Sequence, residues 1–367
     1  MKKGRLSSLD AFRGITIAGM ILVNNPGSWK HVYAPLQHAE WHGWTPTDLV
    51  FPFFLFIVGV SVSLALSKRI ARGDRLPSLY FKIFSRSFIL FALGIFLRLL
   101  FRFDFGNLRI PGVLQRIAIC YLLSALIFTK VGTKGRLAIS LFILMAYYLI
   151  LKFVPVPGYG PGVLEYEGNL CGYIDVKILG GHLYKPSFDP EGILSTFPTI
   201  ATTLIGTLTG DWLRSSKKVL QKTTGLLIAG IVMTGSGLLL HPHFPINKQL
   251  WTSTFVLFTS GAALVLLGLC FLLIDGIGFK KWAYSFLVLG TNAIFVYAGS
   301  IVMAKLLVLI KVSTGQGTLT LQAFINKNLL VPLFGSLNGS LLFALLFILL
   351  WIVGMIPFYR NQIFIKV

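Results

Sequence analysis

The chain reads as an all-α integral membrane protein, a polytopic bundle of about ten transmembrane helices with both termini in the cytosol. Three observations predict this. Of its 367 residues 55% are hydrophobic and only 12% charged, and mean hydropathy is +0.78, too apolar for a water-soluble enzyme of ordinary composition. Apolar stretches of about twenty residues, each able to cross roughly 30 Å of hydrocarbon as a helix, recur along nearly the whole length. Lys and Arg, finally, concentrate in alternate connections between those stretches.

The spans read in order near 10–27, 47–67, 83–102, 111–129, 135–153, 192–213, 219–240, 249–274, 283–310 and 338–358. The stretch 319–334 (LTLQAFINKNLLVPLF) is interrupted by Asn326, Lys327, Asn328 and Pro332, and reads as interfacial or re-entrant, with an eleventh span as the alternative. MKKGR has the charge of a signal-peptide start, but Asp10 and Arg13 interrupt the apolar run after it and no small-residue cleavage site appears by Asn25, so the first stretch reads as a retained span. Residues 1–367 read as one transmembrane domain with a long structured outer loop at about 154–191, dense in Gly, Pro and Tyr.

A net charge of +21 raises the question of nucleic acid, but the cations form no basic arm. Lys2, Lys3, Arg5; Lys68, Arg69, Arg72, Arg75, Lys82; Lys130, Lys134, Arg136; Arg214, Lys217, Lys218, Lys222; Lys280, Lys281; and Arg360, Lys366 place nineteen of the 33 Lys and Arg on one side. Nine lie in the opposite connections, Arg102 among them, and five within spans. That is the positive-inside pattern, and it excludes a nucleic-acid partner as the reading of the charge. Cys120, Cys171 and Cys270 offer neither a disulfide framework nor a thiolate metal site.

With that topology all six histidines fall on the outer side, together with eight of the twelve acids. Proton chemistry therefore belongs to the outer face. Residues 38–49 (HAEWHGWTPTDL) bring two histidines four apart into a turn that enters the second span. With His241 and His243 they have the composition of a zinc site, yet Gly43 and Pro46 argue against the helix that would align the pair. Trp29, Trp44 and Trp251 read as interfacial anchors of an aromatic belt.

The stretches RLSSLDAFRGITIAGMILVNNPGSW and HAEWHGWTPTDLVFPFFLFIVGVS, followed in order by RIPGVLQRIAICYLL, FDPEGILST, INKQLW and GTNAIFVYAG, resemble the transmembrane acetyltransferases typified by heparan-α-glucosaminide N-acetyltransferase and their shorter bacterial relatives. Several blocks in register are more specific than any one motif. The resemblance implies a multi-pass enzyme of the bacterial inner membrane that passes the acetyl group of cytosolic acetyl-CoA to an amino sugar or glycan on the outer side. It implies no metal, and it places the catalytic histidine of the HAxW block at His38. Set against the animal lysosomal enzyme, the chain reads as lacking the extra outer domain and first span, which leaves the acceptor open. A homodimer is compatible with this reading, and membrane lipid is its solvent.

The chemistry supports those roles. A sugar amine attacks a thioester only when unprotonated, so it needs a base, and imidazole suits neutral pH. His38 is that base or, alternatively, a covalent acyl carrier. Asn24, ending span one, is a candidate to hydrogen-bond the thioester carbonyl or to orient the ring, with a plain polar helix end as the alternative. Asp48, in the first turn of span two, is a candidate to fix the His38 tautomer, with an ordinary helix N-terminal charge as the alternative. Coenzyme A phosphates need cations, and charges inside spans are expensive and functional. Arg13 and Arg86 suit the phosphates by depth, Arg116 the pantetheine or carbonyl, and Asn292 is a further polar candidate; for Arg116 an ion pair with Asp104 is the structural alternative. No Gly-rich phosphate loop is present. The competing functional classes are a proton-coupled carrier of a sugar or peptidoglycan fragment and an O-acyltransferase of envelope polysaccharide.

The charge alternation makes a direct prediction. In a cysteine-free variant, single cysteines at positions 36 and 180 will react with a membrane-impermeant thiol reagent in intact cells and one at 216 will not; labelling at 216 alone reverses the orientation.

Overall fold

The computed structural model describes residues 6–101, 103–315 and 317–365. Lys2, Lys3, Arg5, Arg102 and Lys366 of the charge pattern, and both extreme termini, lie outside the described residues. Helices dominate: α1 Ser7–Asn24, α2 Pro46–Ala71, α3 Leu76–Leu99, α4 Val113–Lys130, α5 Thr133–Phe153, α6 Leu170–Leu179, α7 Ile193–Arg214, α8 Val219–Leu240, α9 Ser253–Cys270, α10 Tyr284–Gly290, α11 Ala293–Leu309, α12 Leu321–Phe324, α13 Val331–Phe334 and α14 Ser336–Arg360. Among the described residues eight helices are long and apolar enough to cross a membrane, and a ninth span results if α10 and α11 are counted together.

One expectation is corrected by the fold. The span read as one helix at 283–310 is two helices bent by 72°, because Gly290, Thr291 and Asn292 interrupt it with weak helix formers that the surrounding apolar residues mask. The stretch 319–334 begins in a hairpin, β1 Lys311–Thr314 against β2 Gly317–Thr320, and continues through α12, wider turns at Ile325–Leu330 and α13. From residue 321 to 334 a helix rises only about 21 Å, short of a full crossing.

The described contacts fall into two compact units. One contains α1, the connection up to His38, residues 45–50, and the chain from Leu273 onward. There α1 and α10 meet backbone to backbone: a Cβ on Gly14 would lie 1.8 Å from the Phe286 carbonyl oxygen, and one on Gly290 the same distance from that of Asp10. Small residues at a helix crossing replace the hydrophobic drive that lipid removes. Asp275 accepts the Ser7 and Ser8 N–H groups at 3.3 and 3.0 Å and closes the N-terminus of α1.

The second unit contains residues 39–44 and 51–272. Its most enclosed helix is α7, where Thr199, Thr202, Thr203 and Thr207 are fully buried. Thr199 and Thr203 return their hydroxyls to carbonyls one turn back, at 2.8 and 3.3 Å, so no donor is stranded in the apolar interior. The connection read as a structured loop at 154–191 holds α6, capped by Asn169, whose side chain accepts Gly172 N–H at 2.8 Å.

Asp175 of α6 is completely buried. It accepts Ile193 N–H at 2.8 Å and Asp189 N–H at 3.3 Å, capping α7 from a distance. Residue 192 has to be glycine, since a Cβ would lie 1.9 Å from an Asp175 oxygen. Burial pushes the Asp175 carboxyl up to about 6, and the two backbone donors pull it back only in part. An unfolded Asp ionises near pH 3.9. Between about pH 4 and 6 the folded chain therefore holds more protons than the unfolded one. This contribution is fully present below pH 4 and is lost as pH rises through about 6, a change on the order of 3 kcal/mol. Asp175→Asn will flatten the pH dependence of thermal unfolding between pH 4 and 6.5, whatever it does to absolute stability; an unaltered slope would assign the titration to another group.

Candidate active site

The turn into α2 builds the most clearly organised polar site. Pro46 opens the helix, where its missing N–H is no loss. Asp48, in the first turn, reaches back so that Oδ2 accepts the Thr45 N–H at 3.0 Å, one half of a capping box, with the Thr45 hydroxyl 3.1 Å from the same oxygen. Its other oxygen lies 2.7 Å from His38 Nδ1. Asp48 is 1% exposed and the His38 side chain 49% exposed. A buried carboxylate on Nδ1 selects the tautomer protonated there and makes Nε2 the basic nitrogen of the neutral ring.

The segment leading to His38 is tied down on the same helix start. The Thr45 hydroxyl donates to the Gln37 carbonyl at 2.6 Å and the Thr47 hydroxyl to that of Pro35 at 3.3 Å. His38 is thus placed by three side chains from one turn of α2. His42 belongs to the other unit and is held differently: Nε2 is 3.5 Å from Glu165, and Nδ1 is 3.3 Å from the Asn247 amide. Both of its ring nitrogens have protein partners. Among the described residues no group of three His, Cys, Asp or Glu is arranged to hold a metal ion.

The remaining sequence-predicted residues separate. Asn24 ends α1 and is exposed, while the adjacent Asn25 is buried and donates to the Ile21 carbonyl at 2.9 Å. Arg13 pairs with Asp10 at 2.8 Å and reaches the Gly290 carbonyl at 3.3 Å. Asn292, just beyond that carbonyl, grips the chain after α14: its Nδ2 donates to Ile363 at 3.0 Å and its Oδ1 accepts Ile365 N–H at 2.8 Å. The break between α10 and α11 thus brings Arg13 and Asn292 near each other, both engaged with the protein.

In the second unit Arg86 of α3 stacks over the Tyr121 ring of α4 at 4.9 Å, and its buried Nε has no hydrogen-bond partner. Arg116, five residues before Tyr121 and so about 7.5 Å along the α4 axis, is 1% exposed. It donates from Nη2 to the Gly192 carbonyl at 3.1 Å and to the Ser195 hydroxyl. Its Nε and Nη1 have no partner. Asp104 does not pair with it, being occupied instead by Asn107, whose side chain donates at 3.0 Å. Two cations thus succeed one another along α4 with donor capacity unfilled, a costly state in an apolar interior.

Sequence reasoning missed what surrounds Arg116. Trp251, read as an interfacial anchor, is 1% exposed, with the Arg116 guanidinium 5.2 Å from its ring centre. Phe51 and Phe255 enclose it edge-on at 5.3 and 5.2 Å. Its φ is +52°, a left-handed conformation that bulky residues seldom adopt. An aromatic residue at the edge of an apolar stretch fits a belt or a core equally, and only the fold separates them. Also unforeseen was Arg109, whose Nε donates to Asp189 at 2.7 Å and whose Nη2 also contacts Glu191. These residues brace the FDPEG turn before α7.

Comparison with known proteins fits this geometry. The family described as heparan-alpha-glucosaminide N-acetyltransferase, catalytic, matches residues 5–241. Two proteins named heparan-alpha-glucosaminide N-acetyltransferase are similar: that of Homo sapiens, 33% identical over 80% of this chain and 52% of its own length, and that of Mus musculus, 31% identical over 80% and 53%. The chain spans about half the length of these relatives. With the HAEW turn, Arg86 of α3, Arg116 of α4 and the FDPEG turn all inside the matched region, the chain belongs to the heparan-α-glucosaminide N-acetyltransferase catalytic family.

Proposed function

We propose that this chain is a transmembrane N-acetyltransferase of the bacterial inner membrane, with residues 1–367 acting as one acyltransferase domain and both termini cytosolic. It moves the acetyl group of cytosolic acetyl-CoA to the amine of an amino sugar or glycan on the outer side. The observation that carries this reading is the 2.7 Å contact between His38 and the buried Asp48, in a chain of this family. His38 takes a proton from the acceptor's ammonium group at Nε2. The freed amine attacks the thioester carbonyl, the C–S bond breaks, and the thiolate leaves with the proton that imidazole returns; the neutral imidazole then takes the remaining proton from the acylated nitrogen and releases it to water. In the two-step variant the imidazole carries the acetyl group between donor and acceptor. Asp48 balances the charge that His38 acquires, and Asn24 is the candidate donor to the carbonyl oxygen.

Arg86 and Arg116 fit an anionic, carbonyl-rich donor because each has buried N–H groups without a partner. In this reading Arg86 serves the phosphates and Arg116 the pantetheine. Arg13, already neutralised by Asp10, has a smaller part, and Asn292 acts through the tail that it holds. A carrier built on inverted repeats would want a matching pair of broken helices; among the described residues one pair is bent in this way.

The direct test is incubation of detergent-purified protein with labelled acetyl-CoA and a panel of amino sugars. His38→Ala will lower turnover by about 10²–10⁴-fold while acetyl-CoA affinity stays within a few-fold, since a base does not touch the donor's phosphates. His42→Ala will be mild. Near-normal turnover in His38→Ala with a dead His42→Ala would reassign the base.

The donor path predicts a separate signature. Arg86→Gln will raise the KM for acetyl-CoA about tenfold, at about 1.5 kcal/mol or more for a charge-assisted bond, and leave the KM for the amino sugar in place. Arg13→Gln will do less. Equal donor KM values for wild type and Arg86→Gln, on protein that elutes as a folded peak, would remove the phosphates from α3.

A further inference from the structure

The connection from α1 to His38 does more than carry the histidine. It arches onto α14: Gly27 N–H donates to the Ser340 carbonyl at 3.0 Å, Ser28 N–H to the Ser340 hydroxyl at 3.0 Å, and the Tyr33 hydroxyl to Asn338 at 2.5 Å. Beneath this arch lies an apolar groove. Leu22 and Val23 of α1, Val32 and Leu36 of the arch, and Leu337 and Leu341 of α14 line it, with His31 and Tyr33 among its few polar walls. Leu36 is two residues before His38, so one end of the groove lies within about 7 Å of the His38 backbone.

Within this unit the exposed charges on and beside the arch are cationic. Lys30 and His31 are exposed on the arch, and exposed Lys327 follows Asn326, whose side chain lies against Gly27. Among the described residues of this unit the acids are Asp10, Asp48 and Asp275. Asp10 and Asp275 sit at the start of α1, bound to Arg13 and to the Ser7 and Ser8 backbone, and Asp48 is buried under His38 and Thr45. A shallow apolar crevice flanked by exposed cations matches a hydrocarbon chain that ends in an anion. The exposed side of α14, with Leu345, Leu349 and Val353, is equally apolar, as befits a helix in contact with lipid.

We propose that the acceptor is itself a membrane lipid: an amino sugar joined through a phosphate to a hydrocarbon chain, with the chain in the α1–α14 groove, the phosphate at Lys30 and His31, and the amine presented to His38. This rests on the N-acetyltransferase reading and names the acceptor class that reading leaves open. The acceptor then reaches the histidine by lateral diffusion, and the groove sets the register of the headgroup.

The test uses the full chain in detergent and three acceptors: glucosamine, neutral dodecyl glucosaminide, and glucosamine linked to dodecanol through a phosphodiester. Wild type will acetylate the phosphate-linked lipid with at least about tenfold higher kcat/KM than glucosamine. Leu341→Trp, which fills the groove, will bring that ratio close to one. Lys30→Glu will remove the advantage of the phosphate-linked lipid over the neutral one, which separates phosphate recognition from partition into micelles. In parallel, a diazirine-bearing dodecyl phosphate will label residues 337–344 in wild type and not in Leu341→Trp. Labelling spread evenly along the exposed leucines of α14, or a lipid preference that Leu341→Trp leaves intact, means ordinary surrounding lipid only and overturns the proposal. If none of the three acceptors is acetylated, the N-acetyltransferase reading fails, and the labelling pattern still decides the groove.

Discussion

In an apolar interior every buried polar group must find its partner within the protein, and most of this chain's architecture answers that requirement. Water is absent from the hydrocarbon region, so an unmet N–H or carbonyl there costs several kcal/mol. The threonines of α7 turn their hydroxyls onto their own helix. Asp275 and Asp175 close the starts of α1 and α7 from remote positions. Arg136, 3% exposed, is answered by Asp211 and by Thr207 at 2.9 Å. Buried atoms without a partner remain, the Nε of Arg136 and of Arg86 and several hydroxyls and indole N–H groups among them, but Arg116 has two such nitrogens, Nε and Nη1, on one fully buried cation with no carboxylate in hydrogen-bond contact.

The same requirement explains how His38 can sit in a connection and still be firmly oriented. Residues 35, 37 and 38 are each tied to the first turn of α2, and residues 27, 28 and 33 to α14. The loop therefore has few independent torsions left. A side chain held this way loses little orientational entropy on meeting a ligand. Asp48 serves helix capping and histidine orientation with different oxygens, which ties the geometry of the site to the integrity of the span beneath it.

What could be read from the sequence depended on how local each feature is. His38 is singled out by the resemblance of the HAxW block, and Asp48, ten residues on in the first turn of the next span, follows from it as a candidate partner that an ordinary helix N-terminal charge explains as well. Long apolar runs are local and carried the helices. Arg116 is different: its partners come from residues 192, 195 and 251, and no periodicity in α4 points to them. The break at Gly290–Asn292 was masked because hydropathy averages three weak helix formers with apolar neighbours on both sides. Asn292 was legible as a polar residue in an apolar stretch, but not as the clamp on a tail some seventy residues later.

Trp251 shows how strain and burial join at a site. A non-glycine residue in the left-handed region is disfavoured by about 1–2 kcal/mol, and the turn at 247–252 sustains it with several bonds: Trp251 N–H to Lys248, Leu250 N–H to the Asn247 side chain, and Thr252 N–H to Asn247. The Asn247 N–H is taken in turn by the Thr252 hydroxyl at 3.1 Å. A turn so fully bonded determines where the indole goes, and the indole N–H is met by Thr202 at 3.3 Å. Its face then lies beside a guanidinium that has no carboxylate in hydrogen-bond contact. An aromatic face stabilises a cation without neutralising it. Arg116 thus has an aromatic face beside it and two nitrogens, Nε and Nη1, without a hydrogen-bond partner, which an acidic residue in place of Trp251 would have engaged.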